Sequence, residues 1–228
     1  MIGQIIDAVS VWAIPLLLAI TLHEAAHGFA AYWFGDDTAR REGRMSLNPL
    51  RHVDPFGTVL MPALLLLAKA PFLFGYAKPV PVNFARLNHP RRDMVWVALA
   101  GPGMNMALAV LAALLYHGIG SLPSGVGEWA AANLRNTVYI NVLLAVFNML
   151  PIPPLDGGRV AVGLLPDRLA FPLARLERAG IFIVLGGLFL LPMLGDLIGL
   201  DLNIFGWLIG GPTLEVMKFL LTTVGPFR

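Results

Sequence analysis

The 228 residues contain no cysteine, which removes disulfides, thiolate metal sites and a cysteine nucleophile from consideration together. Charge is scarce as well: Asp, Glu, Lys and Arg make up 13% of the chain, against 57% hydrophobic residues. A soluble domain of this size cannot hide so much apolar surface, so the bilayer is the expected solvent. The net charge is only +2. Basic residues fall in short runs without interleaved aromatics, a pattern that suits membrane-side loops and not nucleic acid. There is no repeat, no low-complexity tract and no second soluble domain, so residues 1–228 read as one membrane-embedded unit, with a core over about 5–160 and C-terminal helices over about 180–224. A cleaved signal is not expected either. Residues 5–20 lack a basic lead and a small-residue cleavage pattern, and they run straight into His23 and Glu24.

What the chain does have is a series of apolar stretches near 5–34, 56–76, 94–117, 134–152, 180–200 and 202–224, each near the roughly 20 residues that a spanning helix needs. The expected fold is therefore all-α and polytopic, with about five to six transmembrane helices. Three connecting segments are basic: one holds Arg40, Arg41, Arg44 and Arg51, a second Lys78, Arg86, Arg91 and Arg92, a third Arg159, Arg168, Arg175 and Arg178. The positive-inside tendency places all three in the cytoplasm. The stretch 56–76 lies between two of them, and Pro62, Pro71 and Gly75 let it bend back, so it is expected to be re-entrant. The N-terminus then lies outside and the C-terminus inside. Residues 78–83, Lys-Pro-Val-Pro-Val-Asn, alternate in a way that suits a small extended edge strand beside the site.

The chemistry begins at His23-Glu24-Ala25-Ala26-His27. Two histidines four apart share one helix face and reach a single ion, while Glu24 sits about 100° round beside the open coordination position. Zinc in such a site lowers the pKa of water toward about 7, and a neighbouring carboxylate takes the proton. A buried carboxylate among apolar neighbours costs several kcal/mol unless it is paired or functional. Two histidines leave a catalytic zinc one protein ligand short. Asp156 is the best candidate, because Pro151, Pro153 and Pro154 break the preceding helix and Gly157 and Gly158 follow the acid. Asn148, eight residues earlier, offers either an amide donor to a carbonyl oxygen or an interhelical hydrogen bond. His52 and Asp54, next to Asn48-Pro49, suit a surface turn; His89 and His117, beside Pro90 and Gly118, read as interfacial. The run Ala107, Ala109, Ala112 and Ala113 suggests close helix packing.

Three stretches, His23 to His27, Ala100-Gly101-Pro102-Gly103-Met104-Asn105, and 148–157, recur in the order in which the site-2 protease family of intramembrane zinc metalloproteases carries them. With 43–57 and 77–83 between them, the chain resembles the compact prokaryotic branch, without PDZ or CBS domains. That resemblance covers roughly 21–159. It implies zinc, one ion per chain, held by His23, His27 and Asp156, with Glu24 as general base, Asn148 at the substrate carbonyl or oxyanion, and Asn105 shaping the core. It further implies hydrolysis within or near transmembrane helices of membrane proteins, in regulated intramembrane proteolysis, with a transmembrane helix as protein substrate, the bilayer as surroundings and no nucleic acid. The expected location is a prokaryotic plasma membrane, with the active site toward the cytoplasm. Two rival readings stand beside it: a membrane metal carrier or sensor that uses the same ligands, which Glu24 separates from hydrolysis, and an inactive scaffold, which bound zinc that disappears in His23→Ala would leave with little support.

Overall fold

The computed structural model describes residues 2–61, 64, 77–204 and 206–224. Among them lie nine α-helices and no strand: α1 (Ile2–Trp33), α2 (Thr38–Arg41), α3 (Pro90–Leu115), α4 (Ser124–Asn148), α5 (Asp156–Leu164), α6 (Asp167–Arg175), α7 (Glu177–Leu185), α8 (Leu191–Ile198) and α9 (Gly211–Thr223). Among the described residues three stretches are long and apolar enough to cross a membrane, Val9–Trp33, Pro90–Ser121 and Glu177–Ile198. Their outward faces carry large apolar groups; Trp33 is 84% exposed and Phe182 72%. Water would penalise such a surface, whereas lipid does not. The expected re-entrant bend falls mostly on 62–63 and 65–76, outside the described residues.

Helix α3 is the central element and packs against α1, α4 and α5. Pro90 opens it, and the Asp93 carboxylate reaches back to accept the His89 N–H at 2.7 Å, so an otherwise orphaned donor is satisfied. Small side chains let its neighbours approach: Ala109, Ala112 and Ala113 are buried against Val138 and Val142 of α4 and Leu220 of α9. Ala107, from the same run, faces outward.

Helix α1 ends at Gly35, whose φ of 103° only glycine adopts without strain. Asp36 then turns fully inward, accepting the Thr38 N–H at 3.0 Å and the Asn83 N–H at 2.6 Å. This carboxylate ties the end of α1 to the far end of the 77–83 segment.

The edge strand expected over that segment does not form, and its hydrogen bonds explain why. Lys78 donates its N–H to the His52 carbonyl at 2.9 Å, and Arg44 donates to the Lys78 and Pro79 carbonyls at 2.7 and 3.3 Å. Val80 donates to Glu24 at 2.7 Å. Pro79 and Pro81 carry no N–H. Too few backbone groups are left to build a ladder.

Candidate metal centre

His23 and His27 stand one turn apart on α1, and Asp156 is the first residue of α5; all three are buried, at 8%, 8% and 5% exposure. Their Nε2 atoms lie 3.1 Å apart, and Asp156 Oδ2 lies 3.3 Å from the first and 3.4 Å from the second. The far nitrogen of each ring is engaged. His27 Nδ1 lies 2.7 Å from the Val97 carbonyl, which only accepts, so Nδ1 holds the proton and Nε2 presents a lone pair. His23 Nδ1 lies 2.6 Å from Asn105 Oδ1. The Asn105 amide is oriented in turn, since its Nδ2 donates to the Ala19 carbonyl at 3.2 Å and to Asn141 Oδ1 at 2.8 Å, while Asn141 Nδ2 donates to the Thr137 carbonyl at 2.8 Å. Backbone carbonyls thus fix the His23 tautomer through two buried amides.

The outcome is three acceptor atoms converging with no donor among them, an arrangement that repels itself unless a cation sits between. Asp156 Oδ2 has no hydrogen-bond partner. Tetrahedral zinc, with bonds near 2.0–2.1 Å, needs ligand atoms about 3.3 Å apart. The observed spacings match, so the residues fit the ion. His23, His27 and Asp156 are also the one group of three or more His, Cys, Asp or Glu side chains, among the described residues, with ligand atoms close enough to share an ion.

Glycine makes two close approaches possible here. A Cβ on Gly101 of α3 would fall 2.4 Å from His27 Nε2 and 2.6 Å from His23 Nε2, so only a bare Cα lets α3 back the ligand pair. After α4, the 149–155 turn folds tightly over the start of α5. Cβ atoms on Gly157 and Gly158 would fall 2.2 Å from the Met149 carbonyl oxygen and 2.2 Å from the Pro153 nitrogen. Proline stops α4, and the two glycines let α5 begin under the turn, which delivers Asp156 to the histidines.

A cavity of about 270 Å³ opens beside the three ligands, lined also by Glu24, Val80, Phe84, Asn148 and Arg159. Glu24 is half-buried, with Oε2 held by the Val80 N–H. At liquid density the space holds on the order of ten waters. An α-helix with side chains, about 10–12 Å across, does not fit.

Residues 125–192, which include Asn148 and Asp156, match peptidase family M50. Two similar proteins carry the name "Putative zinc metalloprotease": YwhC of Bacillus subtilis, 38% identical over 188 residues with 79% of this chain and 80% of that protein covered, and Rip2 of Mycolicibacterium smegmatis, 31% identical over 157 residues with 68% and 56% covered. The chain belongs to peptidase family M50, the site-2 protease family of zinc metalloproteases. The archaeal MJ0611 of Methanocaldococcus jannaschii, which carries the same name, is 44% identical over 66 residues, 28% of this chain and 31% of that protein. No solved structure matches.

For this M50 peptidase the structure brings His23, Glu24, His27, Asn148 and Asp156 to one cavity. Asn148 points its amide along its own helix, donating to the Leu144 carbonyl at 3.0 Å, so one of its two N–H groups is taken. Asn105 is fully buried behind His23. Asn141 and the Val97 carbonyl, which complete the support of the histidines, went unread in the sequence. Asn141 is one of four asparagines in its helix, so residue type alone does not single it out, and a backbone carbonyl gives no sign.

Two further expectations divide. Asp54 caps a turn as expected, its Oδ1 accepting the Phe56 and Gly57 N–H groups at 3.0 and 2.7 Å. His52 is not on the surface: it is 2% exposed, with Nε2 at 2.8 Å from the Ser46 carbonyl. Its neighbours Pro49, Arg51 and Asp54 look solvated, but His52 itself turns under them to brace the loop that supports Lys78.

Proposed function

We propose that this protein is an intramembrane zinc endopeptidase that hydrolyses peptide bonds within or near transmembrane helices of membrane-bound proteins, in regulated intramembrane proteolysis. The observation that carries the reading is the convergence of three acceptor atoms beside a half-buried glutamate, in a cavity too small for a helix. A substrate helix therefore enters locally unwound. His23, His27 and Asp156 would hold one zinc per chain, and the bound ion would supply a water of pKa near about 7 and a Lewis acid for the scissile carbonyl.

The chain's own residues do the rest. Val80 fixes Glu24 Oε2 and leaves Oε1 to take a proton from water and return it to the leaving amine. The segment 77–83 forms one wall of the cavity and excludes bulk solvent. The remaining Asn148 N–H faces the substrate carbonyl as charge develops there. We read the fold as five to six crossings in a single membrane-embedded domain over 1–228. We place the active site on the cytoplasmic side of a prokaryotic plasma membrane, a reading whose orientation is supported by the three basic segments.

The test uses full-length protein in detergent. Glu24→Gln is expected to keep one zinc per chain, by metal analysis, and to lose cleavage of a transmembrane substrate by about 10²- to 10⁴-fold. Undiminished cleavage by Glu24→Gln overturns the mechanism. Bound zinc with no Glu24-dependent cleavage of any membrane substrate favours a carrier or sensor.

A further inference from the structure

Arg159 is the one cation among the described residues lining the catalytic cavity, and hydrolysis as derived above makes no use of it. It lies one helical turn after Asp156 on α5, on the same face. Its guanidinium carbon sits 5.1 Å from the centroid of the Phe84 ring, which also lines the cavity, so the head group is held by a cation–π contact. One nitrogen approaches Glu177 Oε1 at 3.4 Å, but that carboxylate is 55% exposed and the contact is long. Such a pair is weakly held. A guanidinium has five N–H donors.

The substrate supplies the matching need. A transmembrane helix satisfies its carbonyls internally, and unwinding it to enter this cavity leaves several of them without donors. Each unpaired carbonyl costs roughly 1–3 kcal/mol. Asn148 has already spent one N–H on Leu144, and the Val80 N–H belongs to Glu24. We propose that Arg159 is a substrate-binding residue of this site, donating from its guanidinium to a backbone carbonyl of the unwound substrate segment. The proposal rests on the proteolytic reading. Phe84 holds the guanidinium at the cavity wall through the cation–π contact. Because the contact is to backbone, it places no demand on substrate sequence.

The test uses zinc-loaded full-length enzyme and a fluorogenic transmembrane peptide whose cleavage Glu24→Gln abolishes. Arg159→Met is expected to keep its zinc and its melting temperature and to lose about 10- to 100-fold in kcat/KM, with partial recovery in Arg159→Lys. Glu177→Gln should stay within about twofold of wild type, because the ion pair is not the source of the effect. A series of the same peptide with single backbone thioamides then reads the contact directly, since sulfur is a poorer acceptor. At one position the thioamide slows the wild type yet makes no difference to Arg159→Met. A structural role would not produce that pattern. Equal thioamide penalties in both enzymes, wild-type cleavage by Arg159→Met, an equal loss in Glu177→Gln, or loss of zinc from both Arg159 variants each overturns the proposal. Failure of the proteolytic reading looks different: Glu24→Gln would then cut the parent peptide as fast as the wild type.

Discussion

The half of the molecule built by α1, α3, α4 and the start of α5 differs in kind from the C-terminal pair α7 and α8. In the first, polar groups are buried and oriented: Asn105 and Asn141 are fully buried, each with defined partners, and the histidines and Asp156 are nearly so. In the second, the surface is apolar and outward-facing, with Phe182 72% and Leu197 73% exposed. Position in the first is set by hydrogen-bond direction and by clearances of a few tenths of an ångström. In the second, hydropathy suffices, and many sequences would satisfy it.

Substitutions should expose the contrast. The largest effect is expected from Gly101→Ala, whose single methyl would have to share space with both imidazoles. Zinc affinity should fall by at least about 100-fold, measured by chelator competition, and wild-type affinity would mean that α3 slides without consequence. Gly180→Ala follows. Although it lies on α7, its Cβ would meet the Pro153 carbonyl oxygen at 1.5 Å, an overlap that costs about 1–3 kcal/mol once the 149–155 turn shifts. A lowered melting temperature with weakened zinc is the expected result. An unchanged melt would cut the link between the two halves. Phe182→Ala, two residues on, should change stability by no more than about 0.5 kcal/mol and activity in detergent by less than about twofold. A much larger loss in liposomes than in detergent would show that this face does more than meet lipid.

The same contrast explains what could be read from the sequence. The ligand pair was legible because helical geometry turns a spacing of four into a shared face, and Asp156 because prolines and glycines mark a deliberate break. The all-helical fold followed from hydropathy. The edge strand over 78–83 did not form, since Arg44, Glu24, Asp36 and His52, distant in sequence, take the backbone groups a ladder would use. Pattern within six residues carries no trace of them. Asn141 was missed for a related reason: its role exists only through Asn105, 36 residues away. The burial of His52 depends on a loop folding over it. In each case a tertiary partner decided the outcome.

Gly180 also sets a schedule. During synthesis both histidines of α1 are made early, but the turn that presents Asp156 rests on a helix that emerges only afterwards. A chain halted before α7 holds all three ligand residues but lacks the helix that packs against the 149–155 turn. The geometry of the metal centre is thus completed late in synthesis, after every one of its candidate ligands has already been made.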